Sequence, residues 1–316
     1  LKGSPLCSDK TRDKIQALAL KLGYRKDPYV SALMEARRGR KATPISPLLG
    51  FLTFHDTADG WKEAPYIDNF TPAAAEAERL GFRLERFWAR DPAISPRRLR
   101  QILLARGIRG LILNPPPRRE LTFQMDWSDF SLVTVGPGLR DPVTHRVAAD
   151  HFDNARRAVR RCVESGFRRI GLICREEADR RLQRRWSGAY YGELAAHQLP
   201  MDLPPFKADT FTAEDVAGWL REVQPQAVVG TLNTSILQPL RRRRLLGVRQ
   251  CPYIGISLKS NEWISGFVEP LDLAATTAVK ILAGMIHRSE HGIPELASET
   301  FLLGRWNNGK TFNNFK

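Results

Sequence analysis

The loop His55-Asp56-Thr57-Ala58-Asp59-Gly60-Trp61 places an imidazole, two carboxylates and an indole within seven residues. Such groups could pass a proton, hold a cation or grip a ligand. Acid/base work and metal binding both need groups fixed against one another, and one short loop does not supply that geometry. Ligand contact asks less: an aromatic face stacks on a sugar ring or a base while short polar side chains fix hydroxyls. Tyr66 follows nearby and adds a second ring, although both rings also suit packing or a lid. Further on, Asn114 stands before Pro115-Pro116-Pro117, a stiff run that either lines a cleft or turns the chain. His55, Asp56, Trp61, Tyr66 and Asn114 are therefore candidate ligand contacts.

Other strings that could carry chemistry are weaker. Gly304 to Thr311 (GRWNNGKT) fits the phosphate-loop pattern GxxxxGK[ST]. A working phosphate loop must open a helix whose N-terminus faces the phosphates, and only five residues follow Thr311. The match is read as chance. No G-x-G-x-x-G follows a strand pattern, and neither G-x-S-x-G nor H-E-x-x-H occurs. Cys7, Cys162, Cys174 and Cys251 are scattered without paired-ligand spacing, which points to a reducing cytoplasm and to neither a zinc site nor a disulfide framework. The chain thus reads as a non-enzyme, with no catalytic set, metal or cofactor expected.

These residues must be positioned by something, and the pattern from about residue 46 says what. Short apolar runs, Pro47–Phe54, Phe82–Phe87, Gly110–Asn114, Phe130–Val135, Arg169–Cys174, Ala227–Gly230, Tyr253–Ile256 and Ile264–Val268, read as strands. Between them lie amphipathic helices: Thr71–Leu80, Ser95–Ala105, Asn154–Ser165, Leu182–His197, Ala213–Val223, Ile236–Leu246 and Leu273–His287. Repeated β-α units mean parallel sheets covered by helices on both faces, and two such series in tandem predict two doubly wound lobes. Ligands of open α/β sheets sit beyond the carboxyl ends of the strands, which places one cleft between the lobes. At 316 residues the chain is long enough for two cores plus an arm. No run is long enough to span a bilayer, and the polar, basic start is not a secretory signal.

The arm is residues 1–41. It holds eleven Lys and Arg against four Asp and Glu, an excess of seven out of the chain's +15. Concentrated positive charge suits phosphate binding, or else forms a solvated tail. Within it, Ser8 can cap a helix, Asp9 and Asp13 suit its dipole, and Ile15, Leu18, Ala19 and Leu22 give one apolar face ending at Gly23. Pro28 separates this unit from a second short helix, Val30–Met34. The run Arg241–Arg244 reads as an exposed helix face.

The pattern TR..I..LA..LGYR.DP...AL in Ser8–Arg38 resembles the end of the headpiece and the hinge of the LacI/GalR (lactose/purine repressor) family of transcription regulators. The similarity extends through His145–Ile173, which looks like that family's passage into a second lobe, to GIPELASETFLLGRWNNGKTF at the end. It implies an α/β fold of two periplasmic-binding-protein-like lobes, preceded by an all-α remnant of a DNA-binding helix-turn-helix headpiece and a hinge helix. Residues 1–29 would be the end of the headpiece, the chain starting partway through it, and 30–46 the hinge helix and linker. The first lobe would be 47–150 plus about 268–295, and the second 151–267 plus about 296–316, with three crossings.

The resemblance also assigns roles. Ser8, Thr11, Arg12, Tyr24, Val30 and Leu33 would meet operator DNA, with Leu33 as the wedge that unstacks a base step. Arg185-Trp186-Ser187-Gly188 is close to an R..G motif whose arginine donates a fork of hydrogen bonds to an effector, although Arg180, Arg181, Arg184 and Arg185 also fit a solvated helix face. Asn233 and Ser257 fall at two polar anchors where the family often carries carboxylates. Their replacement weakens the case for a sugar and strengthens that for an anionic ligand or a pocket using Lys259, Asn261 and Trp263. The implied protein is a cytoplasmic homodimer, a repressor answering to a small-molecule effector, a sugar or related metabolite. A solute-binding protein of transport or chemotaxis with a basic tail is the alternative.

Overall fold

A computed structural model describes residue 18 and residues 46–63, 68–115, 121–247, 250–259 and 263–312. The arm, with Ser8, Thr11, Arg12, Tyr24, Val30 and Leu33, lies outside the described residues, as do Tyr66 and Asn261.

Fourteen described strands form two six-stranded sheets and one small pair. The first sheet runs in the order β13 (Glu299–Leu302), β7 (His145–Ala149), β5 (Ser131–Val135), β3 (Gly110–Asn114), β1 (Leu48–Thr53), β2 (Arg83–Trp88), and all its pairings are parallel. The second has the order β14 (Arg305–Asn307), β12 (Gly266–Val268), β11 (Tyr253–Leu258), β10 (Ala227–Gly230), β8 (Ile170–Cys174), β9 (Phe206–Lys207), parallel except for β14. Strands β4 (Leu121–Thr122) and β6 (Leu139–Asp141) make the small pair. The central strands β3, β5, β8 and β10 are buried throughout, as expected where helices cover both faces.

Helices α1 (Phe70–Arg79), α2 (Pro96–Ala105) and α8 (Leu271–His287) belong to the first lobe, where α8 packs on α1, β3, β5 and β7. The second lobe holds α3 (His151–Glu164), α4 (Glu176–Arg181), α5 (Arg185–Ala196), α6 (Ala213–Val223) and α7 (Thr234–Arg242). Their starts are written in the sequence. Ser95 accepts from Arg98 N (3.2 Å) with Pro96 behind it, Asp150 accepts from Asp153 N (2.9 Å), and Thr212 with Asp215 forms a reciprocal capping box. The first lobe's core combines Leu52, Leu99, Leu103, Leu111 and Leu132 with Phe54, Trp127 and Phe130. One face of the second sheet is packed with Trp186, Tyr190, Phe267 and Phe312 among aliphatic neighbours.

The chain passes between lobes at Asp150, at Glu269-Pro270 and at Leu303-Gly304. The last passage falls later than expected. Residues 296–302 are not second-lobe, because β13 pairs with β7 in the first sheet. The helix expected over Leu182–His197 is present as α5, starting three residues later, and a short helix not expected there, α4, precedes it, with Gln183 and Arg184 at φ of 54° and 60° turning the corner. Helix α7 ends at Arg242, so the four-arginine run straddles a helix end, all of it exposed.

The phosphate-loop string folds as β14 and a turn. Thr311 Oγ1 donates to Tyr253 O (2.8 Å) and accepts from Ser265 N (2.9 Å). A Cβ on Gly309 would come within 2.3 Å of the Ile264 backbone, so this glycine is required for close packing.

Candidate ligand-binding groove

Two crossings, with the α4–α5 corner, build a groove. Its walls include Pro137, Arg146, Glu299 and Phe301 from the first lobe, and His151, Arg181, Leu182, Gln183 and Arg185 from the second. Arg185 opens α5, where the left-handed turn at Arg184 aims it back toward β13. Buried Asp179 fixes that corner. Its carboxylate accepts from Ser187 N (3.1 Å), Ser187 Oγ (2.6 Å) and Lys207 Nζ (3.0 Å). Burial alone would raise its pKa, and these donors outweigh burial and lower it.

Across the groove, Arg185 Nη2 donates to Glu299 Oε2 at 3.2 Å, with its guanidinium over the Phe301 ring at 4.3 Å. Arg146 Nη1 reaches the other oxygen, Oε1, at 3.4 Å, while its Nη2 donates to Leu139 O at 2.6 Å. One carboxylate therefore bridges two arginines that belong to different lobes. Burial lowers the Arg146 pKa, Glu299 opposes that, and nearby Arg185 adds to it.

Behind the groove is a second charged cluster. Glu269 is buried, accepts from Ser257 Oγ and Lys259 Nζ, and lies 3.5 Å from His151 Nδ1. Burial pushes its carboxyl up, but Lys259 and the donated hydrogen bonds hold it near 2. Burial also pushes His151 down, to about 4: Glu269 opposes this, whereas Lys259, Arg181 and Arg185 reinforce it, so the ring is neutral at pH 7. Its edge meets Trp186 at 5.8 Å. Three of the eight buried polar atoms without a hydrogen-bond partner among the described residues gather here: Arg146 Nε, His151 Nδ1 and Trp186 Nε1. A concentration of unmet donors and acceptors is what a site for an exogenous polar ligand leaves behind.

The residues singled out from the sequence are distributed as follows. Arg185 lines the groove. On the first lobe His55, Asp56 and Trp61 follow the end of β1, and Asn114 is the last residue of β3. There Trp88 Nε1 donates to His55 O (2.8 Å), Asp56 pairs with Arg90, Arg86 stacks on Trp61 (3.9 Å), and Asn114 accepts from Asn69 (2.8 Å). On the second lobe Asn233 caps α7, accepting from Ile236 N at 3.2 Å, and Ser257 donates to Glu269. Reasoning from sequence missed Arg146, His151, Glu269 and Glu299. Arg146 and His151 stood in a stretch read only as a passage between lobes, and the two glutamates carry no motif.

No family model and no curated protein matches the sequence. Solved structures do match. A LacI-family regulator from Rhizobium etli superposes with a TM-score of 0.66 at 14% identity, covering 84% of this chain and 99% of its own. The fold is that of LacI-type regulators. A lac repressor dimer bound to operator and the anti-inducer ONPF matches over 98% of this chain and 92% of its own (TM-score 0.61, 16% identity). A LacI-family regulator from Enterococcus faecium with bound ribose covers 85% of this chain and 100% of its own (TM-score 0.59, 14% identity). Among the described residues no helix is long and apolar enough to cross a membrane.

Proposed function

We propose that this chain is a LacI/GalR-family transcription regulator, a repressor that binds a small-molecule effector between its lobes and couples it to operator DNA. The observation that carries the reading is the groove itself. Its charged groups come from both lobes, and Arg185 bridges them, so a ligand there has different contacts when the lobes turn. That is the requirement for a population shift. The LacI-type fold over most of the chain and the basic arm support the DNA-binding half of the reading. Ser8, Thr11, Arg12, Tyr24, Val30 and Leu33 would meet DNA, and His55, Asp56, Trp61, Tyr66, Asn114, Asn233 and Ser257 would join Arg185 around the effector. The protein would act as a cytoplasmic homodimer without catalysis, and operator must alter effector affinity as much as effector alters operator affinity.

Selection of bound genomic fragments near physiological salt tests this. Recovery of a short palindrome, with affinity falling steeply as salt rises, is the expected result. Sequence-indifferent binding that salt abolishes points instead to a solute-binding body with a basic tail. Replacing the wedge, Leu33→Ala, should weaken operator binding and leave effector affinity unchanged in the isolated core. Equal operator affinity of the two proteins would remove the hinge assignment.

A further inference from the structure

The groove already contains an acid of its own. The two arginines that face each other across it, Arg146 and Arg185, share a single carboxylate, Glu299, and neutral His151 adds no charge. Two further carboxylates nearby are already engaged, Glu269 by Lys259 and Ser257 and Asp179 by Ser187 and Lys207. The groove therefore carries a cationic surplus, and its one anion is poorly held. Glu299 gives one oxygen to each arginine, at 3.2 and 3.4 Å, where charge-assisted N–H···O bonds ordinarily close to about 2.7–2.9 Å. Neither guanidinium has the two-pronged pairing its fork is shaped for. Glu299 is also exposed, so it returns to water at little cost.

We propose that the ligand of this groove is an acid, a carboxylate or phosphate carried on a small polar metabolite, and that Glu299 is the internal counter-ion it displaces. The inference rests on the effector-site reading and names the chemical class for that site. An incoming anion takes the Arg185 fork in two-pronged fashion, with the Phe301 ring holding the guanidinium plane from below. Glu299 swings to solvent, and the ion pair that ties β13 of the first lobe to α5 of the second is replaced by one that runs through the ligand. Neutral sugar hydroxyls have less to gain. They favour carboxylate acceptors, and Glu299 accepts already from two arginines.

The test is calorimetric and thermal-shift titration of the intact protein, its Glu299→Gln variant and its Arg185→Met variant, at constant ionic strength. The probes are inorganic phosphate, gluconate, glucose 6-phosphate and glucose. Gluconate or glucose 6-phosphate should raise the melting temperature while glucose does not, and which of the two acts separates a carboxylate ligand from a phosphate one. Glu299→Gln removes the competitor and should tighten anion binding about two- to fivefold, the span of a partly exposed ion pair. Arg185→Met should abolish it. Binding of glucose but of no anion overturns the acid inference and leaves the effector groove standing. Anion binding that survives Arg185→Met overturns both. If no anion binds either the native protein or Glu299→Gln, the acid inference falls, and the fragment selection decides separately whether the chain is a regulator.

Discussion

Glu269 and Glu299 stand beside two of the three crossings between lobes, each facing cations, yet their surroundings differ. Glu269 is buried, with Ser257 and Lys259 donating to it and His151 close by. Glu299 is exposed and shared at long range between Arg146 and Arg185. A buried charge with its donors in place is part of the scaffold, because nothing else can solvate it. An exposed charge held by two half-made bonds can be exchanged for another of the same kind. The contrast teaches that residue type and proximity to a hinge do not separate structure from function, whereas burial and completeness of bonding do.

Three measurements sharpen or break that contrast. Glu269→Ala leaves Lys259 without its counter-ion and should cost about 3–5 kcal/mol in urea unfolding, the range for stripping one partner from a buried pair. Acidification should come next in size. His151 titrates near 4 in the folded protein against an ordinary 6.5, so between these values the unfolded chain binds a proton that the folded one refuses. Stability is complete above pH 6.5 and declines toward pH 4, by on the order of 3 kcal/mol. Glu269, held near 2 against 4.5, adds a second decline that begins as pH falls through 4.5. Urea titrations at pH 6.5 and pH 4 read the first, and His151→Asn should remove it while sparing the second. Smallest of all, Glu299→Gln should change stability by no more than about 1 kcal/mol. Equal losses at Glu269 and Glu299 would erase the distinction between scaffold and exchangeable charge.

The lobes were legible because their strands announce themselves. LLGFLT, GLILN and AVVG are apolar runs flanked by polar breaks, and the structure places β1, β3 and β10 on them. Strand β7 (HRVAA) was missed because it is polar at its start and fully buried only over its last three residues. The α4–α5 corner was missed because Gln183 and Arg184 take left-handed angles without a glycine to mark them. Asn233 shows a different ambiguity: an asparagine ahead of a helix serves a ligand or caps the helix, and its side chain here accepts from Ile236 N. At the groove, the motif around Arg185 could be read locally. Its partner Glu299 lies 114 residues away, and no spacing rule connects them.

Chain order has its own consequence for how the molecule comes into being. β13 closes the edge of the first sheet and β14 the edge of the second, and only Leu303 and Gly304 separate them. Helix α8, which covers β3, β5 and β7, also comes after nearly the whole second lobe. A ribosome releases these elements after the rest of both lobes. During synthesis the first lobe therefore waits with part of one face of its sheet uncovered while the second lobe is made, and the usual order in which the N-terminal unit finishes first does not apply. Both lobes, and the Arg185–Glu299 bridge between them, are completed together as β13 and β14 emerge.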